Sequence, residues 1–173
     1  MTFTQTDNLN HGFTSLAPGH TLIIGLGNDY RRDDGVGLYV ARKLRQMNLP
    51  RTTVLEVGDG PGALLELWEN QTPAILVDAV LSWSKPGTVF RFEAHLEPLP
   101  QKFISPSSSH GWGLAEAIEM ARALNQLPPR LIVYGIEGKS FEVGLGLSRV
   151  VKKAAAEVVD RVVQDLEFWG KVG

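Results

Sequence analysis

Acidic and imidazole side chains stand in this sequence at points where the chain turns. Asp33 and Asp34 close the polar stretch Gly25-Leu-Gly-Asn-Asp-Tyr-Arg-Arg-Asp-Asp-Gly35. Asp59 lies within Gly58-Asp59-Gly60, Asp78 follows the apolar run Ile75-Leu-Val77, and His110 follows Ser107-Ser-Ser109. Carboxylates and an imidazole drawn from separate loops make a nitrogen/oxygen metal site with open positions. Cysteine is absent. That excludes disulfides, thiolate zinc sites, cysteine-held iron–sulfur clusters and a cysteine nucleophile.

Each of these residues also has an ordinary role. An aspartate just before a helix is commonly an N-cap, which suits Asp33 or Asp34. Asp59 between glycines reads as a turn residue. His110 stands evenly between capping and chemistry. Asp78 is the hardest to explain as structure alone: a carboxylate at the end of a buried strand is costly unless it is paired, hydrogen-bonded or metal-bound. His11, His20 and His95 read as solvated, and Arg31 and Arg32 as solvated loop arginines.

These side chains need a frame that brings them together. Leu22-Ile-Ile24 is a short β-rich run ended by Gly25 and predicts a buried strand. Val36, Tyr39, Val40, Leu44 and Met47 fall at helical spacing and stop before Pro50. The unit repeats: a strand over Thr53–Val57, a helix after Pro61 with Leu64, Leu65 and Trp68 on its apolar face, and a strand over Ala74–Val77. Two βαβ units imply parallel strands.

The rhythm then changes. Only about eight residues separate this strand from the run Thr88–Phe92, too few for a parallel crossover. The fourth strand is therefore expected to be antiparallel, at a sheet edge. A helix carrying Leu114, Ile118, Ala121 and Leu124, a fifth strand at Leu131–Tyr134 and a closing helix through Val150, Ala154, Val158, Val162 and Leu166 complete the reading. The expected fold is a three-layer α/β/α sandwich around a five-stranded, mostly parallel sheet with one antiparallel strand, phosphorylase/hydrolase-like. Residues 1–20 read as a flexible arm and 21–170 as one catalytic domain. Sites in such sheets form outside the carboxyl ends of the strands, where Asp33, Asp34, Asp59 and Asp78 fall.

Composition narrows the class. The 173 residues are 43% hydrophobic, with 17 Lys and Arg against 19 Asp and Glu. That balance argues against a nucleic-acid surface. The apolar runs, such as Ala74–Leu81, are far short of a membrane span. The first 19 residues lack the basic start and apolar stretch of a secretory signal, so a cytoplasmic protein is expected. Gly25-Leu-Gly27 is similar to a dinucleotide fingerprint, but Tyr30 occupies the third glycine's place and Asp29, Asp33 and Asp34 would repel a pyrophosphate. No Gly-x-Ser-x-Gly elbow is present.

The stretch Gly25–Gly37 resembles the opening motif of the hydrogenase maturation proteases, the endopeptidases that finish the large subunit of nickel–iron hydrogenases. Val77-Asp78-Ala79, Ser108-Ser109-His110-Gly111 with Leu114, and Gly135-Ile136-Glu137 followed by Gly144-Leu-Gly-Leu-Ser148 resemble the family's further signatures in the same order. The resemblance implies that Asp34, Asp78 and His110 bind nickel, with Asp34 where the family often has Glu. It implies removal of a C-terminal extension from the large-subunit precursor after nickel insertion, the nickel being carried by the precursor's cysteines. Asp34 or Asp78 would serve as general base on a water, or the metal would activate the water or the scissile carbonyl. A monomer without nucleic-acid or membrane partners is expected. The alternatives are a noncatalytic nickel or assembly chaperone using the same ligands, and a nucleotide-binding βαβ module.

Overall fold

The computed structural model describes residues 19–58, 61–68, 72–101, 103 and 113–172. Asp59, His110, Ser107-Ser-Ser109 and nearly all of the expected arm lie outside the described residues.

The strands are β1 (Thr21–Leu26), β2 (Thr52–Val57), β3 (Ala74–Val80), β4 (Val89–Glu93) and β5 (Leu131–Glu137). The helices are α1 (Val36–Gln46), α2 (Leu64–Trp68), α3 (Leu114–Ala123) and α4 (Arg149–Val172), and short 3-10 turns at Arg32–Gly35 and Pro61–Ala63 lead into α1 and α2. The sheet runs β2-β1-β3-β5-β4, with β4 antiparallel to β5 at the edge and every other pairing parallel. This is the expected architecture, and the short link before β4 is its reason.

Alternation along the strands divides the interior into two cores. Leu22, Ile24, Leu76 and Val133 pack with Leu64 and Trp68 of α2 and with Leu114 and Ile118 of α3. Ile23, Ile75, Val77 and Tyr134 pack with Val36, Val40 and Leu44 of α1 and with Val151, Val158 and Val162 of α4. Strands buried on both faces read as continuous apolar runs, as β1 and β3 do here. Among the described residues no helix is long and apolar enough to cross a membrane.

The β3 and β5 strands both outlast their apolar runs. They stay hydrogen-bonded to each other from Ala74↔Leu131 to Val80↔Glu137, so Asp78 sits within β3, opposite Gly135, rather than after its end. Each supplies the other with backbone partners, which a single run of side chains does not reveal. His95 is not solvated: it is half-buried and its Nδ1 accepts the N–H of Leu131 at 3.2 Å. His20 is half-buried too.

One polar contact ties the sheet to α4. The Tyr134 hydroxyl donates to Asp165 at 2.6 Å, and Arg91 of β4 grips the same carboxylate through Nε (3.1 Å) and Nη2 (2.8 Å). Burial, and then the bond to Asp165, push the Tyr134 pKa well above the ordinary tyrosine value. The unfolded tyrosine therefore ionises first. This stabilisation is complete below about pH 10 and is lost as pH climbs above it. Tyr134→Phe is expected to cost about 1 kcal/mol at pH 8 and to flatten the loss of stability between about pH 9 and 11. Urea unfolding at both ends of that range checks it; equal losses in the two proteins would contradict this role of Tyr134.

Candidate active site at the carboxyl edge of the sheet

The chain leaves β1 through α1 on one face to reach β2, then crosses by α2 on the other face to β3. The direction of winding reverses between β1 and β3, and the crevice at such a point is where open α/β sheets bind ligands. Asp34 lies in the turn after β1 and Asp78 in the last half of β3. That turn packs against β3.

Glycines make the approach possible. A Cβ on Gly37 would overlap the carbonyl oxygens of Leu26 and Val77, and one on Gly25 would overlap the Gly37 carbonyl and the Ala41 side chain. The start of α1 thus lies directly on β1 and β3, one residue from Asp78. Gly27 adopts φ 140° with Asp34 backbone against it, a conformation and a space that only glycine fills. The glycine spacing that is similar to a nucleotide fingerprint serves helix–strand contact here. Asp29 is turned to Arg42 of α1, which also binds Glu56 of β2. Asp29 raises the Arg42 pKa further above its ordinary range.

Both expected carboxylates are buried, Asp34 completely. The N-cap positions of the 3-10 turn and of α1 are Arg31 and Gly35, so neither Asp33 nor Asp34 occupies one. Asp33 has a different task. Its Oδ1 accepts the Ser148 N–H (2.7 Å), and its Oδ2 accepts the N–H groups of Lys139 (2.8 Å) and Ser140 (3.0 Å) and the Ser148 hydroxyl (3.0 Å). The Asp33 N–H returns a bond to Ser140 O at 3.1 Å. The Ser148 carbonyl accepts the first bond of α4 from Lys152, so this carboxylate also faces the positive end of that helix. Asp33 therefore fixes the turn that carries Asp34 to the loop between β5 and α4.

Glu137, buried at the end of β5, does the same for the next loop. It accepts the Ser82 N–H at 3.0 Å and the Ser82 hydroxyl at 2.7 Å. Glu137 and Ser148 belong to the C-terminal signature quoted above, yet their partners are distant in sequence and invisible in one chain.

Among the described residues no three His, Asp or Glu side chains cluster closely enough to hold a metal ion. Asp34 and Asp78 come to the same crevice, and His110 and Asp59 lie outside the described residues.

Fold and site define a doubly wound α/β protein with buried acidic groups at its switch point. The hydrogenase maturation protease (HycI) family model matches residues 38–165. The hydrogenase 2 maturation protease of Escherichia coli K12 is 28% identical over 153 residues, 86% of this chain and 92% of that protein. A putative hydrogenase maturation protease of Methanocaldococcus jannaschii is 30% identical over 152 residues, covering 84% and 96%. The solved NiFe hydrogenase maturation protease HybD from Thermococcus kodakarensis superposes with TM-score 0.67 at 28% identity, covering 84% of this chain and 97% of that one. The chain belongs to the hydrogenase maturation protease family, a peptidase that acts in hydrogenase maturation.

Proposed function

We propose that this endopeptidase removes the C-terminal extension of a nickel–iron hydrogenase large-subunit precursor in the cytoplasm, after nickel insertion, and reads the nickel that the precursor carries. The observation that carries the reading is the pair of buried carboxylates, Asp34 and Asp78, at the switch point. Carboxylate oxygens are hard donors, and their negative charge is what a divalent cation favours. Two carboxylates and the His110 imidazole are a donor set that suits a divalent nickel, and three protein ligands leave positions for thiolates of the substrate. This chain has no cysteine with which to compete for them.

The chemistry then falls to the carboxylates. Contact with the precursor's nickel places the scissile bond at the crevice. One of Asp34 and Asp78 takes a proton from water as its oxygen adds to the carbonyl carbon. The proton passes to the amide nitrogen as the C–N bond breaks, which leaves a carboxylic acid and a free amine. The proposed contacts make the nickel part of the substrate rather than a resident cofactor, so the isolated chain should bind the free ion weakly.

Intact-mass measurement of purified nickel-loaded precursor, before and after incubation with the protein, tests this. The expected result is loss of a single C-terminal peptide. Stable binding with no change in mass would instead support the chaperone reading.

A further inference from the structure

Large apolar side chains are exposed around the same edge. Tyr30 follows β1 and is 72% exposed, Trp83 follows β3 at 85%, and Val143 and Leu145 follow β5 at 87% and 71%. Where such groups gather into one patch framed by polar residues, they mark protein-binding surfaces. These loops are also held still. Gly144, between Val143 and Leu145, donates to Tyr30 O at 2.8 Å and accepts from Arg32 N at 2.9 Å, and the four bonds to Asp33 close the same two loops. Trp83 adopts φ 65°, strained for a bulky residue, directly after the Ser82 that Glu137 clamps. Two buried carboxylates thus anchor the three loops that carry these exposed apolar side chains.

We infer that Trp83, Tyr30, Val143 and Leu145 form an apolar docking rim that grips the folded part of the precursor beside the peptide to be cut. The inference rests on the proposed function. A protein whose chain enters the crevice between β1 and β3 has to lie across the loops that follow β1, β3 and β5, and these side chains occupy those loops. The partner surface is accordingly apolar and flanks the cleavage site. Rigid aromatic anchors lose little freedom on binding and dominate such interfaces.

The test uses the full chain with nickel-loaded precursor. Trp83→Ala and Leu145→Ser are expected to raise KM by about tenfold each and to leave kcat within about twofold, with unchanged melting temperature. Trp83→Tyr should restore most of the loss. Phe168→Ser is the control: that residue is exposed as well, but lies roughly 28 Å along α4 from the edge, and its KM should not move. A second arm measures binding of the same variants to a nickel-loaded precursor whose scissile bond is blocked, so that cleavage is not needed. Unchanged KM and unchanged binding in the Trp83 and Leu145 variants would overturn the rim, as would a fall in kcat alone. A wild-type dimer that these variants split without changing KM would assign the patch to a second copy and also overturn it. If the wild type binds precursor but cuts nothing, the proposed function fails, and the binding arm alone decides the rim. If it neither binds nor cuts, both fail.

Discussion

Asp78→Asn is expected to slow precursor cleavage by about 10²–10⁴-fold, the range associated with losing a positioned acid–base group. Asn keeps the size of the side chain and one acceptor oxygen, and removes the charge and the proton affinity. Asp78 lies in the middle of the sheet, opposite Gly135, where backbone pairing with β5 holds the strand. The melting temperature should stay within about 4 °C of wild type, equivalent to roughly 1 kcal/mol in a chain of this size. Asp34→Asn should lower cleavage in the same way, since the two groups share one crevice. His110→Ala should lower it too, by weakening the hold on nickel-loaded precursor. Initial rates by gel shift, beside a melting curve for each variant, separate the possibilities. Variants that melt far below wild type yet still cut at the normal rate would make Asp34 and Asp78 structural groups.

Asp33→Ala should give the opposite pattern, a large loss of stability. Three backbone N–H groups and one hydroxyl lose a charged acceptor at once. Hydrogen bonds to a charged partner contribute more than neutral ones, though they do not add. A net loss of about 3 kcal/mol is expected, which lowers the melting temperature by roughly 6–12 °C. Asp33→Asn should fall between wild type and Ala. An Asn oxygen can still serve the three donors that meet Oδ2, but its amide nitrogen then confronts the Ser148 N–H. Amide exchange at Lys139, Ser140 and Ser148 should quicken first, since those donors are released. Cleavage should also fall in Asp33→Ala, because the turn carrying Asp34 is no longer anchored. A loss below about 1 kcal/mol with unchanged exchange would show that the loops hold without Asp33.

The sheet was largely legible in the sequence because its signals are local. Apolar runs bounded by Gly58 and Gly87 mark strands and turns, although β1 runs on through Gly25 to Leu26, and the short link before Val89 forbids a parallel crossover. The placement of Asp34 and Asp78 at the carboxyl edge is legible for the same reason: topology alone carries them there. What stayed hidden depends on partners far along the chain. The extra length of β3 and β5 comes from their mutual pairing, which moves Asp78 from a strand end into the strand. Asp33 binds Ser148, 115 residues away, and Glu137 binds Ser82, 55 residues away, and neither pair leaves a spacing that one sequence can show. The same blindness makes Asp33 look like an N-cap, since a carboxylate before a helix has that local signature whatever it touches. The bond between His95 and the β5 backbone is equally invisible in sequence, because Leu131 lies 36 residues away.

The central claim is that the enzyme reads nickel on its substrate. The measurement that tests it most directly is cleavage of one purified large-subunit precursor in two forms, nickel-loaded and nickel-free, followed side by side by intact mass. Loss of the C-terminal peptide from the nickel-loaded form alone is the predicted result. Equal rates on the two forms would contradict the account.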